Sequence, residues 1–276
     1  MRAGFFAVPP DQRLQRASGT GRLSTKLRNG RTRLAQFFQA GCARIRLPRT
    51  HGEALEAVLI NTAGGMAGGD RIEWIAEAGP RTRLVLTTQA CERVYRSTGD
   101  EAHVSVTLRV GAGAHADWLP QETILFEGSR LRRSLEVHLE AGAGFTAAES
   151  VILGREAMGE AARSAQLVDR WRIFREGKLV HAEDTRLTEA FERDLPSLLA
   201  GNRAFATIVA IAPDKERKLE RLRAAIPPGA CAAASIAGER LILRVLAPSG
   251  LALRRILIPA ISLLSGAGAL PRLWTI

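Results

Sequence analysis

The sequence predicts a mainly β protein of stacked β-strand coils or sheets, β-helix-like, with two or three short helices in its C-terminal third. Between residues 72 and 152, apolar and polar residues alternate with a period of two, as in half-buried strands. Ala-Gly pairs at residues 78–79, 112–113 and 143–144 mark turns spaced 34 and 31 residues apart, and a second strand-like run follows each pair. This repeat of about 30 residues indicates coils that complete a shared core.

Length and composition favour one globular domain. The chain has 276 residues, of which 46% are hydrophobic and 24% charged, so it can bury a core and is too apolar for a disordered chain. No linker or low-complexity segment is evident. We therefore expect residues 1–276 to form a single domain, with residues 1–20 as a flexible basic N-terminal arm.

The elements before the repeat are predicted to be strands that lead into a glycine-rich loop. Residues 43–47 alternate apolar and basic side chains, and residues 56–61 form a more continuous apolar run, so both are predicted strands. The next segment is too rich in glycine for a helix interior. We expect a loop there, with the motif residues Gly64, Gly65, Gly68, Gly69 and Asp70.

A hairpin is predicted near residue 176. The Glu-Gly pair at residues 176–177 is typical of its tip, and Trp171 and Ile173 are expected opposite Leu179.

Helical patterns are confined to the last third of the chain. Asp214 is expected to cap a helix over residues 214–226, which the Pro-Pro-Gly sequence after it ends. Shorter helices are predicted over residues 188–199 and 249–264, the second kinked or broken by Pro259.

The formal charge of +11 is concentrated at the N-terminus. Residues 1–50 contain eleven Lys or Arg residues and one acid, Asp11, which leaves about +1 for the rest. Such a segment indicates contact with nucleic acid or an anionic membrane, or a basic edge strand or solvated arm. Only 5% of residues are aromatic, which argues against a nucleic-acid-binding module, and the apolar stretches are too short to span a membrane.

Cysteine and histidine spacing argues against disulfides and tight metal sites. The three cysteines are odd in number and far apart, which fits a cytoplasmic protein. The five histidines form no HxH, HxxxH or HExxH spacing, so we expect no local zinc or nickel cage.

The glycine-rich loop allows two interpretations. Its backbone amides could hold a phosphate or an oxyanion, which would make the chain a phosphate-binding or hydrolase-like protein. However, the loop lacks the Gly-Lys-Ser/Thr ending of a P-loop, and no G-x-S-x-G nucleophile follows. The alternative is a tight turn in which Asp70 accepts hydrogen bonds from loop amides. No catalytic residue can be assigned from the sequence.

Polar residues fall at equivalent places after the three turns, at residues 87–89, 121–122 and 149–150. Stacking the repeats would bring them together inside the protein or at its rim. Because a buried carboxylate without a partner is costly, they must be paired, hydrated or along a wet passage. The structural alternative is an internal arginine–carboxylate network, with candidate partners Arg93, Arg96, Arg130, Arg132 and Arg133.

Five ordered blocks of sequence carry a family resemblance. The first is Gly-Gly-x-x-Gly-Gly-Asp within residues 58–70, and the others follow at residues 86–96, 118–126, 130–133 and 153–160. Together they resemble the UreD, or UreH, family of urease accessory proteins. The resemblance extends from about Gly21 to the C-terminus, which makes it far more specific than one glycine loop.

The resemblance implies a non-catalytic urease maturation factor with a mostly β fold. Such a protein binds UreF and, through it, the GTPase UreG, and docks on apo-urease so that nickel reaches the active site. It implies no tightly bound cofactor but transient Ni²⁺ in an internal polar passage, for which the candidates are Asp70, Gln89, Glu122 and Glu149. Oxygen ligands without His or Cys hold Ni²⁺ weakly, as a relay requires. The basic N-terminal segment would then face an acidic protein partner rather than nucleic acid or a membrane.

Overall fold

The computed structural model describes residues 15–50, 52–188, 195 and 197–275. Strands dominate this part of the chain and its two α-helices lie near the C-terminus, which confirms the predicted fold class. The strands are β1 (Ser18–Arg28), β2 (Arg31–Gly41), β3 (Ala43–Arg46), β4 (Leu55–Asn61), β5 (Arg71–Ala78), β6 (Arg83–Thr88), β7 (Glu92–Val94), β8 (Ala102–Val110), β9 (His115–Leu119), β10 (Thr123–Leu125), β11 (Arg130–Leu139), β12 (Gly144–Leu153), β13 (Gln166–Arg175), β14 (Lys178–Leu187), β15 (Ala204–Ile211), β16 (Ala232–Ala237) and β17 (Arg240–Ala247). The helices are α1 (Lys215–Ala225) and α2 (Gly250–Leu264).

The strands form two sheets that face each other. Sheet A has the order β14-β13-β11-β8-β5-β1-β2, and sheet B has the order β16-β17-β15-β12-β9-β6-β4-β3. The central strands of both sheets pair in parallel, because each coil places one strand in sheet A and the next in sheet B. The short strand β10 pairs with β7 on one side and with the end of β12 on the other, which gives the coils a third side.

The turns between coil strands confirm the repeat but correct its register. Hydrogen-bonded turns cover residues 79–82, 111–114 and 140–143, whereas the third Ala-Gly pair, at residues 143–144, leads into β12. Gly142 has a φ of +67° and Gly113 a φ of +64°. Because glycine adopts this left-handed conformation readily, these two residues determine where the second and third turns form.

The apolar residues form two cores on either side of sheet B. One fills the space between the sheets and includes Leu86, Leu108 and Phe145. The other lies between sheet B and the two helices and includes Leu243, Leu257 and Trp274.

Both C-terminal helices occur where the sequence predicts them. Ser249 caps α2 by accepting a hydrogen bond from the amide of Ala252 at 3.2 Å, and α2 continues through Pro259 rather than breaking there. Asp214 precedes α1 but does not cap it through its side chain, because its φ of +61° is outside the extended region that an N-cap needs. The helix predicted over residues 188–199 falls largely outside the described residues.

Two further predictions change in detail. The hairpin has its tip at residues 176–177, but Phe174 pairs with Leu179, and a register shift places Ile173 opposite His181. Strand β1 begins at Ser18, inside the segment expected to be a flexible arm, while residues 1–14 lie outside the described residues.

Candidate functional site

The glycine-rich loop is a tight turn held by Asp70. The Asp70 carboxylate accepts hydrogen bonds from the amides of Ala67 at 2.7 Å and Ala17 at 2.8 Å. A Cβ at Gly68 would lie 2.2 Å from Oγ of Ser97, so the backbone there leaves no room for a side chain. Because a carboxylate already occupies the loop amide that an anion would need, this geometry favours the structural interpretation of the loop over phosphate binding.

Gln89 and Glu122 lie beyond the strands in which the sequence places them. Strand β6 ends at Thr88, and Gln89 is exposed just after it. Strand β9 ends at Leu119, so Glu122 lies in the link to β10. The predicted polar residues of the second repeat, Gln121 and Glu122, are therefore in the link between β9 and β10, because the strands are shorter than the apolar pattern suggests.

Glu122 is buried and ion-paired with helix α2. Its carboxylate accepts hydrogen bonds from Nε of Arg254 at 2.6 Å and from Sγ of Cys91 at 3.2 Å. Burial opposes ionisation, but the hydrogen bond from Arg254 holds the pKa of Glu122 below its usual range. Burial and the nearby Glu122 carboxylate raise the pKa of the Cys91 thiol to about 11, so Cys91 is a neutral donor in this contact.

Glu149 belongs to an internal arginine–carboxylate network. It accepts a hydrogen bond from Nε1 of Trp118 at 2.7 Å and pairs with Arg133, which also binds Asp169 at 2.6 Å. Burial, which outweighs the attraction of Arg133, raises the pKa of Glu149 to about 7. Of the five arginines considered from the sequence, Arg133 forms this network, whereas Arg132 pairs with Glu101 on the exposed face at 2.7 Å.

A small cavity lies between the two sheets beside this network. Its volume is about 40 Å³, enough for at least one water molecule. Its polar lining residues are Thr88, Glu92, Gln121, Thr123, Arg133 and Glu149. Of the four residues predicted from the sequence, Asp70, Gln89, Glu122 and Glu149, Glu149 lines the cavity. Gln89 and Glu122 each follow a lining residue in the chain, Thr88 and Gln121 respectively.

Glu92 is a cavity residue that the sequence analysis misses. It accepts a hydrogen bond from Nδ2 of Asn61 at 3.1 Å. Burial raises the pKa of Glu92 to about 7, with a further contribution from the negative charge of Asp70, while the Asn61 hydrogen bond opposes the shift. Strand β7 aligns Glu92 with Thr123 of the next coil, but three residues are too few to show a strand period.

These side chains form no ready-made metal cage. Among the described residues, no group of three or more His, Cys, Asp or Glu side chains is placed to hold a metal ion. Each buried carboxylate already has a protein partner. The arrangement can therefore offer oxygen ligands one at a time, by exchange with those partners, which suits brief contact and not storage.

Comparison with known proteins gives one consistent result. A family model described as UreD urease accessory protein matches residues 17–275. The chain is 70% identical to a urease accessory protein UreD of Chelativorans sp. (strain BNC1), with 95% of each chain covered. It is 50% identical to a UreD of Sinorhizobium medicae (strain WSM419), covering 95% of this chain and 97% of the relative. No helix of the described residues is long and apolar enough to cross a membrane. The chain belongs to the UreD family of urease accessory proteins, and its role is in urease maturation.

Proposed function

We propose that the chain is a non-catalytic scaffold that joins UreF and, through it, the GTPase UreG on apo-urease in the cytoplasm. In this complex it helps nickel reach the urease active site. The lack of a P-loop in the sequence supports assigning nucleotide hydrolysis to a partner.

The observation that carries the nickel role is the polar cavity between the sheets. An apolar protein interior is normally packed without voids, yet here two carboxyl groups, Glu92 and Glu149, line a space next to a buried guanidinium. Burial raises the pKa of both carboxyls, that of Glu92 to about 7, so a cation that binds them competes with a proton. Nickel is the cargo of this passage.

The proposed passage uses the four residues expected from the sequence together with Glu92. Nδ2 of Asn61 donates hydrogen bonds to Glu92 and to the carbonyl of Gly65, both at 3.1 Å, which links the glycine-rich loop of Asp70 to the cavity. Gln89 lies exposed beyond β6, next to the cavity residue Thr88, where it can form part of a mouth. Glu122 follows the cavity residue Gln121, and Glu149 lies at the inner wall. The positive charge of Arg133, which pairs with Glu149, repels Ni²⁺ and so shortens the time for which the ion is bound.

Alanine substitution of Asp70, Gln89, Glu122 or Glu149, and the change Glu92→Gln, are expected to lower the nickel content of urease matured with the variant. Each removes an oxygen ligand or its charge, so we expect a fall of about twofold or more while the accessory complex still assembles. Nickel per active site and co-purification of the complex are measured together. Because Asp70, Glu122 and Glu149 have structural partners, the variants Asp70→Asn, Glu122→Gln and Glu149→Gln accompany the alanine variants.

The matched control is Glu101→Gln, which removes a carboxylate charge from the exposed face of sheet A. It is expected to leave nickel content unchanged. Full nickel loading in all five passage variants would overturn the passage. A loss of nickel that always accompanies loss of the complex would instead assign these residues to assembly.

A further inference from the structure

The edge where sheets A and B meet, at β2 and β3, carries an unusually one-sided charge. Residues 15–50 contain nine Lys or Arg residues and no Asp or Glu. Among the described residues, only Arg22 of these nine has a carboxylate within ion-pair distance, Glu73 at 3.3 Å. Most of this positive charge is therefore not neutralised within the described part of the chain.

A groove crosses this basic edge. It has a volume of about 490 Å³ and lies between the start of β2 and the segment after β3. Its charged walls are formed by Arg31, Arg33 and Arg49, all exposed, and the acid among its lining residues is Glu56. Burial raises the pKa of Glu56, so this carboxyl is easier to protonate than an exposed glutamate.

The groove also has an apolar side. Leu34, Leu47 and Leu55 are among its lining residues. The groove is held in shape by hydrogen bonds of Thr32, whose amide donates to the carbonyl of Glu53 at 3.0 Å and whose hydroxyl accepts from the amide of Arg83 at 2.8 Å.

Two exposed phenylalanines lie farther along β2, one on each face of the strand. Phe37 is 43% exposed and Phe38 is 52% exposed, and β2 is the terminal strand of sheet A. The guanidinium of Arg22 lies 6.0 Å from the centre of the Phe38 ring. Phe37 and Phe38 lie on the same strand as Arg31 and Arg33, which form no ion pair among the described residues. Exposed aromatic side chains combined with such cations are typical of an interaction surface rather than of a solvated arm.

We propose that the basic groove of Arg31, Arg33 and Arg49 binds an acidic segment of a protein partner that also carries apolar side chains. The guanidinium groups would pair with carboxylates, for which their planar donors are well shaped, while Leu34 and Leu47 take the apolar side chains. A phosphate backbone or a lipid headgroup would use the arginines but leave the leucines uncovered. The inference rests on the proposed function only in requiring that the chain works with protein partners.

Fluorescence anisotropy with the full chain tests this directly. The probe is a fluorescein-labelled peptide of alternating glutamate and leucine, compared with a glutamate–serine peptide, a single-stranded oligonucleotide and vesicles containing phosphatidylglycerol. We expect the glutamate–leucine peptide to bind more tightly than the glutamate–serine peptide and to lose affinity with added salt. The triple variant R31E/R33E/R49E should weaken its binding about tenfold or more.

The control is R221E/R255E/R272E, which changes the net charge equally at exposed positions that do not line the groove. It should change the affinity for the peptide less than about threefold, because it alters only the net charge of the protein and not the groove. Equal losses of affinity in both triple variants would show that the groove is not the binding site. Tighter binding of the oligonucleotide or the vesicles than of the peptide would also overturn the proposal, because the ligand would then be a nucleic acid or a membrane. Circular dichroism of each variant confirms folding. Because no urease or nickel is present, failure here leaves the nickel passage untouched.

Discussion

Replacing Arg133 with alanine is expected to lower the free energy of unfolding by about 3–5 kcal/mol, the largest effect of a single substitution that we anticipate. Arg133 is buried between the carboxylates of Glu149 and Asp169, with side-chain exposures of 6%, 4% and 8%. Removing the cation leaves two buried carboxylates facing each other without compensation. The cost is therefore that of unpaired buried charge and not merely of a lost hydrogen bond.

Urea unfolding of the wild type and the variant near pH 8 measures this loss. The control is Arg132→Ala, on the same strand, which removes an ion pair to Glu101 on the exposed face and is expected to cost less than about 1 kcal/mol. The deficit of Arg133→Ala should shrink as the pH falls, because burial raises the pKa of Glu149 and its protonation removes one of the two negative charges. A deficit no larger than that of Arg132→Ala would contradict the buried network.

The double variant R133A/E149Q separates the network from simple loss of packing. Glu149→Gln keeps the acceptor for Trp118 but removes one of the two negative charges that Arg133 compensates. We expect part of the lost stability to return in the double variant. No recovery would mean that the guanidinium stabilises the protein by filling space and not by its charge.

The fold was predictable because its strongest signals are local and repeated. Alternation along β8 and β11 and the turns between coil strands determine a stacked arrangement before any long-range contact is known. The position of the third turn was not predictable, because residues 141–144 read Ala-Gly-Ala-Gly and either Ala-Gly pair could form the turn. Only the left-handed backbone of Gly142 decides between them.

The site was only partly predictable because its contacts join distant parts of the chain. Asp70 holds the loop beside it, and that local role could be expected from the motif. The partner of Glu122 is Arg254, which is 132 residues away on a helix packed against the opposite side of sheet B. No sequence period connects the two. The role of Glu92 was hidden for another reason, since β7 has three residues and shows no alternation.

Glu92→Gln is expected to stabilise the protein at alkaline pH by about 1–3 kcal/mol. The pKa of Glu92 is raised by burial to about 7, above its ordinary value of 4.5. Below the ordinary value the carboxyl is protonated in both the folded and the unfolded protein, so the substitution changes little. As the pH rises toward 7, the carboxyl of Glu92 ionises in the unfolded chain before it ionises in the folded protein. The wild type therefore loses free energy of unfolding, whereas the glutamine variant does not. The advantage of the variant should therefore grow between about pH 5 and pH 8 and then level off.

Urea unfolding across this pH range measures the advantage, and Glu101→Gln is the control. Its carboxylate accepts hydrogen bonds from Arg132 at the exposed face, so glutamine there should cost a little stability and not add it. A constant difference between Glu92→Gln and the wild type at all pH values would contradict the raised pKa. If the variant is more stable while urease matured with it receives less nickel, the half-buried charge of Glu92 is kept for function, because stability alone favours its removal.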